Sequence, residues 1–421
     1  TAVPGGVLTI NVFNEAAMPI SNAQADIVNI GVVPAIDIRT YSNANGSVTF
    51  IGAPAASNYQ ITVSKSGYST AQTYPVTAEN PNPNPRHLTV ANNQTTAAPF
   101  TIDYVSTKTV ETYIQIQEGS WIDTMTDGSK IATSASTTIT GGVARLSGSA
   151  GSYETNGFMQ SVSVNPASLN RWKTFSSATT TPAQTGILFR FYDNAGASLI
   201  PEGQLPGNSA GFATSTVDLS LVSTSTYPAI RVTSFLSSSD PNATPSIDRY
   251  SFVYDYGPSP FPNLSFGMRG AKTIGNNPTV YKYDQTHSSG ASSLITLSLV
   301  EADTYTLSVA TSTGYLLAES CNTQPEILLP AGSQKTKLYV LPASNHSLLI
   351  DVRSSSGIPL EGATAQLTGT GYDTTKTTSS CGQAFFGSLS TGNFVSAVTK
   401  GGYQTYTTNV DVSVITRLSV V

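Results

Sequence analysis

Charge is scarce in this chain. Only 11% of its 421 residues are Asp, Glu, Lys or Arg, against about 25% in ordinary soluble domains. The balance is −5, and no basic stripe or polybasic run exists. Nucleic acid is therefore excluded as an expected partner, as is an anionic membrane surface. Histidine is nearly absent too. His87, His287 and His346 stand alone, outside the His-Glu-x-x-His spacing of a zinc peptidase. A serine nucleophile needs a base, and no Gly-x-Ser-x-Gly elbow accompanies the many serines. No apolar run reaches the ~18–20 residues that cross a bilayer, so no membrane span is expected in this chain. A first residue Thr1 in place of Met fits a processed product, with any anchor outside these residues.

Cysteine occurs twice, as Cys321 and Cys381. Neither sits in a Cys-x-x-Cys or Cys/His cluster, so no metal site is expected from them. Two buried thiols and one disulfide both fit the sequence. The bonded form needs Cα atoms within about 7 Å. No stretch sustains a 3.6-residue apolar period with caps, so almost no helix is expected.

What is present is alternation. Leu8-Thr-Ile-Asn-Val12, Val48-Thr-Phe50 and Tyr59-Gln-Ile-Thr-Val63 place apolar residues at every second position. That is the pattern of half-buried strands. Hydrophobic residues at 39% suffice for folded cores, and the length suggests about three or four of them. Ser, Thr, Gly and Asn supply the polar surface, a style that fits secreted or surface-displayed β-proteins.

One pattern occurs at both ends. Near the start it runs Leu8 to Val12, Pro19-Ile-Ser-Asn-Ala23, Asn45-Gly46, Phe50, Tyr59 and Lys65-Ser-Gly-Tyr68. Near the end it runs Leu348 to Val352, Pro359-Leu-Glu-Gly-Ala363, Cys381-Gly382, Phe386, Phe394 and Lys400-Gly-Gly-Tyr403. The separation is 340 residues at Leu8/Leu348 and 335 at Tyr68/Tyr403. Apolar landmarks hold while turns lose length, as expected of two copies of one small domain. A weaker third copy is expected around Tyr305-Thr-Leu-Ser-Val309 and Gly314-Tyr315.

The repeated landmarks resemble the carboxypeptidase regulatory-like family, whose domains are transthyretin-like sandwiches. The resemblance implies accessory modules of surface proteins and implies no activity. Residues 1–103, opening near Pro4, are read as one such sandwich. Residues 104–256 are read as a jelly roll, loosely similar to galactose-binding modules. Residues 257–342 form a divergent small sandwich and 343–421 the closing copy. The Asn-Pro run Glu79–Arg86 reads as a linker or, preferably, as a loop covering a sheet edge of the first module. This order is similar to the ectodomain of a bacterial pilin-like or adhesin protein, though the apolar N-terminal helix of prepilins is missing.

The expected fold is thus all-β tandem sandwiches, and the expected role is non-enzymatic, structural or adhesive, at the cell surface. Expected partners are other copies of the chain, cell-surface proteins or glycans. No cofactor is expected. Val7–Val12 and Leu418–Val421 are candidate strands for self-association through open edges.

Two other readings are weighed. A carbohydrate platform in the jelly roll would use Trp121, Trp172, Tyr153 and Tyr192, although aromatics at alternating positions are more often core. A polysaccharide-cleaving enzyme would need two carboxylates facing one groove, and Glu111, Glu118, Asp123, Asp127, Glu154 and Glu202 are the candidates by location. Asp123-Thr-Met-Thr-Asp127 and Asp240-Pro-Asn242 offer oxygens to calcium, with too few ligands for an EF-hand loop. The sequons at Asn45, Asn93, Asn242, Asn263 and Asn345 arise readily by chance in so Asn- and Ser/Thr-rich a chain.

Overall fold

The computed structural model describes residues 5–322 and 324–421, so the start expected at Pro4 lies outside the described residues. The chain is all-β. Among the described residues its one helical element is the 3-10 turn Thr311–Thr313.

The first sandwich has two sheets. One places Gly6–Phe13 between Ser47–Ala53, antiparallel, and Thr95–Thr101, parallel. The other orders Ile36–Tyr41, Gln24–Asn29, Ala56–Ser64 and Ala71–Gln72. Leu8, Ile10, Val12, Tyr59, Ile61 and Phe100 are buried in one cluster between them. The strand Gly6–Phe13 is therefore central, with partners on both sides. The expectation that Val7–Val12 offers an open edge fails, because the sandwich's last strand returns to cover it.

The last sandwich repeats this plan. Ser347–Val352 lies between Gln383–Phe386, antiparallel, and Ile415–Val420, parallel. Tyr372–Thr377, Thr364–Gly369, Gly392–Thr399 and Tyr406–Val412 form the facing sheet. Its core, including Leu348, Ile350, Phe386, Phe394 and Val412, is separate from the first.

The shared motifs have matching jobs in the two copies. Gly46 sits at φ +71, where an added Cβ would come 2.4 Å from the Val12 carbonyl oxygen; Gly382 sits at φ +73, 2.5 Å from that of Val352. No other residue fits such a site without a shift. Ser42 Oγ donates to Ile20 O at 2.6 Å while accepting from Ala23 N–H at 2.9 Å. Thr378 Oγ1 does the same between Leu360 and Ala363 at 2.6 and 2.9 Å. Lys65 donates to Ser21 O and Lys400 to Glu361 O. The Lys-x-Gly-Tyr lysine thus latches the Pro-x-x-x-Ala step, which explains why the two travel together.

A third small sandwich lies between these two in sequence, and it corrects the boundary expected at 104. Ser106–Ile114 pairs with Leu294–Val300 and adjoins Ser333–Pro342. It is the first strand of the third sandwich, whose facing sheet is Asp284–Ser288, Ser265–Gly270, Asp303–Ser308 and Glu326–Leu328. The residues that join the first two strands are a short loop, 14–23 and 353–363, in the other copies. Here they are 115–264, most of which forms a separate compact unit, Ile114–Ser259. The larger module is an insertion within the third sandwich.

That inserted unit has one sheet with Ser246–Tyr256 between Leu169–Thr180 and the strands Gln117–Asp123 and Val143–Leu146. A second sheet orders Ile131–Ala135, Asn156–Ser161, Arg231–Ser238 and Thr185–Tyr192. Phe175 of the first meets Phe189 of the second, ring centroids 5.0 Å apart, in a core that also holds Trp172, Phe191, Tyr250 and Phe252.

Candidate functional site

The four aromatics expected to form a sugar platform do not converge. Trp172 is fully buried, and its indole N–H donates to Tyr227 O at 2.9 Å. Its ring meets Phe252 and Tyr254 edge-on. Burying an indole with its one donor satisfied is a core role. Trp121 is half-buried and stacks on Tyr250 at 5.9 Å, with Lys130 Nζ 5.4 Å from its ring centroid. Tyr153 and Tyr192 are half-buried. No ring contact joins any two of the four among the described residues.

Most of the carboxylates have local partners. Glu111 pairs with Lys335 at 2.6 Å in the third sandwich. Glu118 pairs with Lys173. Asp123 is buried and accepts from Met125 N–H at 2.9 Å. With burial, its charge pushes the phenol of Tyr250 upward. Asp127 accepts from Ser129 N–H at 2.8 Å, Glu202 from the N–H groups of Gly207 and Ser209, and Asp240 from Asn242 N–H at 2.8 Å. Glu154 is exposed. Five of the six are thus turn braces or members of ion pairs. The histidines serve three different sandwiches: His87 meets Thr73, His287 meets Tyr283, and His346 meets Thr391.

Polar chemistry concentrates instead where the small sandwiches join. Cys321 and Cys381 form a disulfide with Cα atoms 4.5 Å apart. It ties the segment after Tyr315–Ser320 of the third sandwich to the turn before Gln383–Phe386 of the fourth. Beside it, Ser379 donates to the buried Glu319, and Ser320 N–H donates to Gln383 Oε1 at 2.7 Å. Gln383 passes the connection to Asp351 at 3.1 Å, and Asp351 takes Arg353 and Arg417. Among the described residues, Glu319, Cys321 and Cys381 are the one group with metal-ligand spacing, and both sulfurs are spent in the disulfide.

The first and third sandwiches are joined by the Asn-Pro run. Its end stays with its own sandwich, where Tyr74 N–H donates to Pro85 O at 2.9 Å just past the edge strand Ala71–Gln72, and its middle reaches the third sandwich. Asn84 N–H and Asn80 Nδ2 both donate to Ile274 O, at 2.9 and 3.0 Å, and Pro83 bridges Gly275. A Cβ on Gly275 would lie 1.9 Å from Asn80 Oδ1, so a side chain there would displace the asparagine from this seat. Proline keeps the run extended and leaves its carbonyls and asparagines to make the contacts. Lys272 adds ion pairs to Glu15 and Glu301 at 2.6 and 2.9 Å, and Lys282 pairs with Glu301 at 2.6 Å.

One buried cluster escaped the sequence reading. Lys108 lies inside the third sandwich and pairs with Glu326. It also donates to Gln334 Oε1 at 2.7 Å and Thr336 Oγ1 at 2.6 Å. Burial pulls its amine downward from the ordinary range while Glu326 pulls the other way. The available signal was the alternation itself, since Ser106, Lys108, Val110 and Thr112 share the buried face.

No protein-family model matches the chain, and no curated protein is significantly similar to it. Among solved structures it is similar to the TIE protein of Bacillus anthracis at 11% identity and TM-score 0.20. It covers 99% of this chain but spans about half of that one, 50%. BcpA, the major pilin subunit of Bacillus cereus, is 9% identical at TM-score 0.17, covering 99% and 98%. A candidate carbohydrate-binding protein of Bacteroides uniformis is 9% identical at TM-score 0.18, covering 70% and 100%. Likenesses this weak identify no family.

Proposed function

We propose that this chain is a non-enzymatic structural and adhesive protein of the cell surface, a subunit of a stalk or pilin-like filament. The observation that carries the reading is the bracing of both junctions between small sandwiches. A disulfide closes one, and an Asn-Pro run with the Lys272–Glu15 ion pair closes the other. Bracing of this kind resists bending and adds nothing to turnover. We read the first and fourth sandwiches as regulatory-like modules at 1–103 and 343–421. The third combines 106–114 with 260–342, and a separate unit is inserted between its strands.

Self-association is expected at Ile415–Val420, which among the described residues pairs only with Ser347–Val352. Val414, Ile415 and Val421 are exposed there, and charge to guard that edge is sparse. The corresponding strand of the first sandwich, Thr95–Thr101, carries Pro99, which lacks the N–H a new partner would need. Electron microscopy of the concentrated protein tests the reading. Filaments should form, and Ile415→Lys should abolish them without lowering the melting temperature. Monodisperse monomer at every concentration, with no filaments on the source cells, would refute it.

A further inference from the structure

The three small sandwiches share a left-handed bulge, filled by Gly52 at φ 77, Leu299 at φ 59 and Ser388 at φ 54. Each precedes a buried residue, Ala53, Val300 or Leu389. One copy uses glycine, which suits the position, and another the small residue serine. The third uses leucine, the one branched aliphatic among the described residues with positive φ. An L-residue with a bulky side chain is strained in this region. Its side chain is not burial's compensation either, since Leu299 is 74% exposed. The fold would accept glycine here, so the leucine answers to something outside the fold.

Leu299 stands on the lip of a cleft of about 570 Å3, within the size range of small-ligand sites. The cleft opens between the edge strands Asp284–Ser288 and Leu294–Val300 and reaches Ser69 and Thr70 of the first sandwich. One wall is aromatic. Tyr283 and His287 stack with an interplanar angle of 18° and share a hydrogen bond of 2.8 Å. Hydroxyls and an amide make up much of the rest: Thr70, Gln285, Thr296 and Ser298. Lys282 pairs with Glu301, and the carboxylate of Asp303 accepts the backbone N–H groups of Lys272 and Thr304.

We infer that this cleft binds a neutral saccharide, with Leu299 and the Tyr283–His287 wall against its C–H faces. Hydroxyls and amides both donate and accept, as sugar hydroxyls do. The one lysine of the lining is paired and both carboxylates are already bonded, so no charged group is left over to select a charged ligand. An added peptide strand is disfavoured, because the bulge between Leu297 and Val300 breaks the ladder such a strand would extend. The inference gives the adhesive part of the proposed function a site, and rests on the chain being a binder as well as a scaffold.

The test uses the full chain with cellobiose, maltose, lactose and chitobiose at millimolar concentrations, read by chemical shifts and calorimetry. At least one should bind, with shifts centred on residues 283–301. Leu299→Gly should weaken that binding roughly tenfold or more while holding or raising the melting temperature. Gln285→Ala, at an exposed side chain, should weaken it as well. The inference is overturned by silence from all four sugars. It is equally overturned by undiminished binding in Leu299→Gly, by a lower melting temperature in that variant, or by peptides binding the cleft in place of sugars. A chain that binds sugar through Leu299 but forms no filaments would refute the assembly reading alone.

Discussion

Lys108 and Glu326 meet inside the third sandwich with neither side chain exposed to solvent. Their sequence separation spans the whole inserted unit. The pair is held by Gln334, Thr336 and Asn322, so the remaining donors and acceptors of both ions are occupied. Removing one partner strands the other charge in the core. Lys108→Met should therefore cost about 3–5 kcal/mol, whereas Lys108→Met with Glu326→Met should be close to neutral. Chemical denaturation of the three proteins measures both. Equal losses in the single and double variants would show that packing, and not charge, decides the site.

The disulfide makes a second prediction. Cys321 and Cys381 close a loop across two sandwiches, 60 residues apart, and such closures typically contribute about 2–4 kcal/mol. Reduction with dithiothreitol, or paired Cys→Ser substitution, should split an early calorimetric transition from the rest as the last sandwich melts separately. Superimposable oxidised and reduced scans would remove the disulfide from the bracing argument.

Acid should weaken the chain from a third direction. Burial holds His87 and His287 below the ordinary histidine range. Unfolded, each takes a proton near pH 6.5; folded, each resists until lower pH. Between those two points the unfolded state binds more protons, so the contribution is intact above about pH 6.5 and is lost as pH falls through that window. The melting temperature should drop between neutrality and about pH 5, and His287→Gln should flatten the slope. A slope unchanged by the substitution would count against His287 as a source.

Much of the fold was legible because alternation fixes faces locally. Leu8, Ile10 and Val12 point inward because their spacing says so, and the Pro-x-x-x-Ala and Lys-x-Gly-Tyr pieces recur because the lysine bonds the step. What failed was whatever depends on a distant partner. Ser106–Ile114 looks like the opening of the next module, since nothing local reveals that Glu111 pairs with Leu294. Trp172 carries the same residue type whether it faces a ligand or a core, and only the sheet it lies in decides. The strand at Val7–Val12 reads as a free edge until Thr95–Thr101 is seen to run beside it. The cleft at Leu299 was invisible for a different reason. Its signal is a backbone angle compared across three copies, and the sequence shows only an ordinary leucine in an ordinary strand.

The insertion within the third sandwich also dictates a calendar for synthesis. Ser106–Ile114 leaves the ribosome long before Leu294 exists, so it must wait, unpaired and carrying a buried-to-be lysine, while the inserted unit completes itself. The first and inserted units are free to mature during translation, while the centre of the molecule closes late.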